Sequence, residues 1–459
     1  MDLPPLPLDR DDERPLATQL ADALRAATAG GAFRAGDRLP STRALATTLQ
    51  VSRTVTAAAY DQLLAEGWAV GRRGAGTFVV GTPAGTHAAT PRPSTPPARR
   101  DPADVDLFAG TPCVEVLDAS VWRRAWRAAA DDPPDADPEP VGLPAFRAVV
   151  VEHLLRHRGL PAGPDDVLAT GGSTGAVAEL ARTLPTGARV AVEEPGYQRA
   201  VAALRAAGLV VVPVPVDASG LVVEALPTGL AAVYVTPAHQ YPMGARLPAA
   251  RRVALVDRAR AEGFLVIEDD YDGELRYDVA PLPLLAGLGP DVVVHLGTAS
   301  KLLTPTLGAG WMVAPPAVRA AVLDLRDRTG TRPARAGQRV FTAFAAHGDL
   351  GRHLRRLRRE LASRRAAVAE AVGRAVVGDQ AGAHVVVPLP DAAAERAVIA
   401  AAGRRGVALD GLARHHLGGP GVHGILLGYA GPSRADLDRA LPVVTAALVR
   451  VSSGVPRWS

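Results

Sequence analysis

The chain has 459 residues, 48 % of them hydrophobic and 21 % charged, and a net charge of +4. That length predicts two or three domains, and the composition excludes wholesale disorder. A single cysteine, Cys113, excludes an intrachain disulfide and a cysteine-cluster metal site. The opening MDLPPLPLDRDDER has neither the basic nor the apolar region of a secretory leader, and no uncharged apolar run is long enough to span a bilayer. A cytoplasmic protein with no membrane partner and no metal is expected.

Residues 1–80 read as one unit. Leu16, Leu20, Ala23, Leu24 and Ala27 recur at helical spacing until Gly30 and Gly31. After Pro40, Ser41 is placed to cap a helix over Thr42–Leu49, and Ser52 to cap another that runs to about Ala65. Trp68–Val70 and Thr77–Val80 read as two short strands, with Gly71, Gly74 and Gly76 between them. Helix, helix-turn-helix and hairpin, in that order, predict a winged helix. The charge of this unit is informative only by placement: Arg34, Arg38, Arg43, Arg53, Arg72 and Arg73 stand against Asp37, Asp61 and Glu66 within residues 30–80, while the first 13 residues are acidic.

A helix-turn-helix puts the start of its second helix into the major groove of DNA. Here that start offers Ser52, Arg53, Thr54 and Thr56 to base edges and phosphates. Arg43 suits a backbone phosphate, and Arg72, Arg73 and Gly74 form a hairpin tip suited to the minor groove.

Residues 81–104 hold six prolines and no apolar periodicity, which predicts a linker that spans roughly 70 Å when extended. From residue 105 the texture changes. Short β-branched runs at Ala188–Val192, Leu209–Val212, Ala232–Thr236, Phe264–Glu268, Val292–Leu296 and Gly310–Val313 alternate with helical stretches such as Gly175–Leu184, Gln198–Ala207 and Pro248–Glu262. Such alternation predicts a mainly parallel sheet covered on both faces. The remaining length is too great for one core. A large α/β domain over 105–325 and a smaller α/β domain over 326–459 are expected.

Lys301 is the only lysine; every other member of the 51 Lys and Arg residues is arginine. Arginine does not lose its proton at working pH and forms no imine, whereas lysine does both. Pyridoxal phosphate (PLP) sites need such a lysine, an acid on the pyridine nitrogen, a donor to the 3′-oxygen and a cradle for the phosphate. Each has a candidate where a doubly wound sheet would place it, at strand carboxyl ends. Lys301 lies in GTASK, and Asp269, Asp270 and Tyr271 follow the apolar FLVIE run. Gly171-Gly172-Ser173-Thr174 precedes a helix, Thr298 and Ser300 just before the lysine can add phosphate bonds, and Tyr197 follows a strand in VEEPGYQR.

Two resemblances strengthen this reading. AGDRLPSTRALATTLQVSRTVTAAAYDQLLAEGW and GRRGAGTFV, within residues 14–80, resemble the GntR winged-helix family. This implies binding of operator DNA as a dimer through Arg43, Ser52, Arg53, Thr54, Arg73 and Gly74. GLPAFR, VEEPGY, TPAHQYPMG, IEDDYDGELRY and GTASKLL, spread over about residues 105–440, resemble fold-type I aminotransferases, most closely the aminotransferase-like half of MocR regulators. The match implies that Lys301 bonds PLP covalently, Asp269 pairs with the pyridine nitrogen and Tyr271 with the 3′-oxygen. It also implies that Tyr197 stacks on the ring and that Ser173, Thr174 and Ser300 hold the phosphate. In that family the winged helix often crosses to the partner subunit, so a domain-swapped homodimer is expected.

Two positions depart from the family pattern. Gly308 stands where an arginine near the phosphate is usual, and Leu426 where an arginine for an amino-acid carboxylate is usual. Arg199 and Arg414 are candidate substitutes. The departures count against a working aminotransferase with a DNA-binding head. Gly308 favours a scaffold without cofactor, which the retained Lys301, Asp269 and Tyr271 oppose. A regulator that senses PLP or an amino compound, with at most residual transaminase activity, is expected. The basic stretch RHLRRLRRELASRR (352–365) reads as a solvated helix with local ion pairs in preference to a second DNA contact.

Overall fold

A computed structural model describes residues 3–12, 14–72, 74–80, 105–133, 136, 139–277, 282–373, 376–419 and 421–450. The chain divides into two compact units, Met1–Arg99 and Arg100–Ser459. The predicted linker and the Arg73 assignment lie outside the described residues.

In the first unit α1 (Leu16–Ala29), α2 (Thr42–Leu49) and α3 (Arg53–Ala65) precede a hairpin of β1 (Ala69–Arg72) and β2 (Gly76–Val79). The serines cap as the sequence predicts: Ser41 Oγ accepts from Ala44 N at 3.1 Å, and Ser52 Oγ from Val55 N at 3.3 Å. Leu20, Leu24, Leu45, Tyr60 and Leu63 bury one face of each helix in a common core. The strands are offset by a residue or more from the sequence expectation, because Gly71 and Gly76 join the ladder and do not form the turn.

The second unit begins with β3 (Val105–Asp106), α4 (Ala119–Asp131), α5 (Pro144–Arg158), β4 (Val167–Thr170), α6 (Ser173–Ala181), β5 (Arg189–Glu194) and α7 (Gln198–Ala206). It continues through β6 (Val210–Asp217), β7 (Gly220–Leu221), β8 (Ala232–Val235), α8 (Ala249–Glu262), β9 (Leu265–Asp269), α9 (Leu285–Leu288), β10 (Val293–Thr298) and β11 (Gly310–Val313). These strands form an eight-stranded sheet in the order β4-β11-β10-β9-β8-β5-β6-β7. The run from β10 to β6 is parallel, while β11 runs antiparallel to both of its neighbours. Apolar clusters cover both faces, so strands such as β8 and β10 are buried along their whole length.

The chain then runs through α10 (Pro316–Thr329), α11 (Arg335–Ala345) and the long α12 (Asp349–Val372). A three-stranded antiparallel sheet follows, built from β12 (His384–Leu389), β14 (Asp410–Gly411) and β15 (His423–Gly428), with α13 (Ala392–Gly403) before β14 and α14 (Arg434–Val449) after β15. The expected boundary at 325 falls inside α10. The start of the unit belongs spatially with its end, since β3 pairs in parallel with β13 (Val407–Ala408). β4 was absent from the sequence expectation; four residues, VLAT, carry too little pattern to distinguish a buried strand from a helix segment.

Candidate functional site

On the first unit, Arg43, Ser52, Arg53, Thr54 and Arg72 are all exposed. Ser52 and Arg53 open α3, where free backbone N–H groups and the helix dipole favour an anion. Arg72 lays its guanidinium 4.7 Å from the centre of the Phe78 ring, which steadies the hairpin stem, and Gly74 takes a positive φ of 77° in the turn. Thr56 departs from expectation. It is fully buried, and its hydroxyl lies 2.9 Å from the carbonyls of both Thr42 and Arg53. Facing α2, it braces the helix-turn-helix and is not a DNA contact.

In the second unit the parallel strands bring their carboxyl ends to one edge of the sheet. Asp269 ends β9, Thr298 ends β10, Gly171 and Gly172 follow β4, Tyr197 follows β5 and Thr236 follows β8. All of these, with Ser173, Thr174, Tyr271, Ser300 and Lys301, line one cavity of about 570 Å³. The sequence placed these side chains in separate segments; the topology unites them.

The floor of the cavity is Asp269, 3 % exposed. Tyr234 donates to its Oδ2 at 2.6 Å, while Oδ1 is buried without a partner. Burial, against that hydrogen bond, pushes the carboxyl up to about 6. Lys301 donates to the carbonyl of Gly110, and burial lowers its ammonium, opposed by the charges of Asp272 and then Asp269. A lysine so placed releases its proton more readily than one in water. Tyr271 donates to the carbonyl of His239 at 3.0 Å. The His239 ring nitrogen Nδ1 lies 3.1 Å from that phenol and 2.9 Å from Asp272 Oδ2.

The opposite end is a cradle of neutral donors. The first turn of α6 supplies Ser173 and Thr174 behind Gly172, whose φ is 103°. A Cβ on Gly172 would stand 3.4 Å from Thr298 Oγ1 and 3.8 Å from Ser300 Oγ, filling the cradle. Thr298 Oγ1 and Ser300 Oγ are 3.0 Å apart, and Thr174 Oγ1 is 3.2 Å from the Tyr197 phenol. Gly308, at φ 55°, adds no cation. Leu426 is fully buried in β15 within an apolar cluster that includes Tyr241, Met243, Val386 and Leu412. Arg414 is tied to Asp410 and sits over Phe108, whereas Arg199 is exposed at the cavity edge.

An orphaned carboxylate oxygen, a lysine and an anion cradle at a helix N-terminus together fit PLP. Sequence reasoning missed Tyr234, Asp272, His239 and Gly110. Tyr234 lies in the interior of a strand and reads as core packing, and Gly110 acts only through its carbonyl. Among the described residues no His, Cys, Asp or Glu group is arranged to hold a metal ion, and no helix is long and apolar enough to cross a membrane.

The chain matches two family models: the gntR family of bacterial regulatory proteins over residues 16–79, and aminotransferase class I and II over residues 105–442. It is 36 % identical to the HTH-type pyridoxine biosynthesis transcriptional regulator PdxR of Corynebacterium glutamicum, over 97 % of this chain and 98 % of the relative. It is 31 % identical to the probable rhizopine catabolism regulatory protein MocR of Rhizobium meliloti, over 98 % and 97 %. In fold, the second unit is similar to the kynurenine aminotransferase of Pyrococcus horikoshii, with a TM-score of 0.70 at 23 % identity over 77 % of this chain and 92 % of that one. The chain therefore belongs to the MocR-type transcriptional regulators, in which a gntR-family winged helix precedes a domain with the fold of the PLP-dependent class I and II aminotransferases.

Proposed function

We propose that this regulator holds PLP at Lys301 as its sensed ligand and binds operator DNA, as a homodimer, through Arg43, Ser52, Arg53, Thr54, Arg72, Arg73 and Gly74. The observation that supports the proposal is one cavity in which a lysine, a buried carboxylate and a cradle of donors meet, beside an apolar strand position where the aminotransferase-like family usually has an arginine. Lys301, Asp269 and the α6 cradle converge on one cavity, while the β15 position for a carboxylate-binding arginine holds the buried Leu426.

When bound, PLP supplies an aldehyde and an electron-poor ring. Lys301 offers the amine that bonds the aldehyde, and Asp269 offers Oδ1 to the ring nitrogen. Tyr271 would set the polarity beside the 3′-oxygen, Tyr197 would pack on the ring, and Ser173, Thr174, Thr298 and Ser300 would hold the phosphate. With neutral donors only, the cradle holds the phosphate less firmly than one with an arginine, which suits a ligand that must come and go. The corynebacterial relative is named for pyridoxine biosynthesis, which supports PLP as the effector. Binding that favours one geometry of the dimer would shift its affinity for DNA.

The test is the visible absorption spectrum of protein mixed with PLP and freed of excess, beside Lys301→Ala. A retained band in the wild type that is absent from the variant supports the assignment; no band in either would leave the second unit a scaffold. Steady-state transfer of amino groups between an amino acid and a keto acid would instead revive an aminotransferase.

A further inference from the structure

The arginines of α12 are not equivalent. Arg358 donates to the Glu274 carbonyl at 2.5 Å, and Arg365 to the Gly378 carbonyl at 3.1 Å. Arg364 is fully buried and binds Glu115, Glu360 and the Pro432 carbonyl. These three staple the fold. Arg352, Arg355 and Arg359 are exposed and Arg356 half-buried, and they recur at about one helical turn along the outer face.

A second row adjoins them. On α4, Arg123, Arg124 and Arg127 are exposed, and Asp349, at the start of α12, joins the helices by binding both Arg124 and Arg352, each at 2.5 Å. Asp118, near Arg356, is already engaged by Ser120 and the N–H of Val121. Seven arginines therefore crowd this face, and Asp349 and Asp118 beside them are already engaged. Arg123, Arg127, Arg355, Arg356 and Arg359 form no ion pair among the described residues. The sequence expectation of a solvated helix with local ion pairs fits neither row in full: Arg364 is buried against partners far along the chain, and on the outer row the local ion pair is that of Arg352 with Asp349.

We propose that the outer face of α4 and α12 is a second, sequence-independent DNA contact that takes phosphates flanking the operator. Guanidinium forks suit phosphate oxygens, and a double row of them along two helices presents a strip of charge such as a duplex backbone requires. The inference rests on operator binding by the winged helix. Trp126, 42 % exposed on α4, would equally suit a protein partner, so the test must separate the two.

The full-length protein is titrated, over a range of salt, with an operator chosen from a random-sequence pool, once as a duplex of about 25 base pairs and once with flanks to about 60. The quadruple variant Arg123→Ala, Arg127→Ala, Arg355→Ala, Arg359→Ala is compared with the wild type, and its mass in solution is checked by light scattering. The expected result is wild-type affinity on the short duplex. On the long one, affinity should drop about 10- to 100-fold and the salt slope should become shallower by roughly two to four. Equal affinity of variant and wild type on both duplexes, or equal loss on both, overturns the proposal. So does a changed mass, which would assign the face to subunit assembly. Arg53→Ala separates the two readings: it should lose both duplexes, and if it retains them the winged-helix assignment fails whatever the quadruple variant does.

Discussion

Tyr234 donates its phenolic hydrogen to Oδ2 of Asp269 at 2.6 Å and leaves Oδ1 buried without a partner. Half of the carboxylate is thus held by the protein and half is left for something else. Without a cation there, burial makes the ionised form expensive and raises the carboxyl to about 6.

That rise makes the stability of the ligand-free protein depend on pH. The folded value lies above the ordinary 3.8, so the penalty is absent below about pH 4 and complete above about pH 6. Rising pH therefore destabilises the fold through this window, by about 3 kcal/mol for a rise of this size. Asp269→Asn, which still accepts from Tyr234 and does not ionise, is expected to melt higher than wild type at pH 7.5 and level with it at pH 4.5. Thermal unfolding without PLP checks this; a difference in melting temperature that does not vary with pH would contradict it.

Tyr234→Phe removes the hydrogen bond that holds Asp269 Oδ2. The buried carboxylate then lacks a hydrogen bond worth about 1–3 kcal/mol, and its ionised form becomes harder to keep. Retention of PLP, measured by equilibrium dialysis, is expected to weaken about tenfold while Lys301 still reacts. Unchanged retention would show that Tyr234 is packing alone.

Gly382 is required by its neighbours. A Cβ there would stand 2.3 Å from His239 Cε1 and 2.6 Å from Asp272 Oδ2, at a φ of 72°. Gly382→Ala is expected to lose about 2–4 kcal/mol, from strain and from displacement of the His239–Asp272 pair. Gly403→Ala, near the end of α13 with open space around its Cβ, is the control and should be neutral or stabilising. Denaturant midpoints compare them.

Arg53 and Thr56 lie on one helix and should fail differently. Arg53→Ala is expected to abolish operator binding in a gel shift with melting unchanged. Thr56→Val should lower the stability of the first unit by about 1–3 kcal/mol, because the Thr42 carbonyl loses its buried donor. Weakened DNA binding in the second variant without lost stability would return Thr56 to the contact surface.

The sequence alone was enough for features that depend on nearby residues. Ser41 and Ser52 cap because a short hydroxyl can reach only the amides of its own first turn. The parallel sheet was readable because strands buried on both faces need continuous apolar runs. Lys301 was conspicuous as the only lysine in a chain rich in arginine. Tertiary structure decided whatever depends on distance along the chain. Thr56 and Arg53 carry equally polar signals, yet one points at α2 and the other at solvent. Tyr234 reads as a core residue until β8 and β9 lie side by side and its hydroxyl meets Asp269, 35 residues away. The arginines of RHLRRLRRELASRR look alike in sequence. Carbonyls and carboxylates brought from residues 115, 274, 378 and 432 bind three of them and leave four on the outer face. A local pattern records which groups a segment can offer, and only the packed fold supplies the groups that accept them.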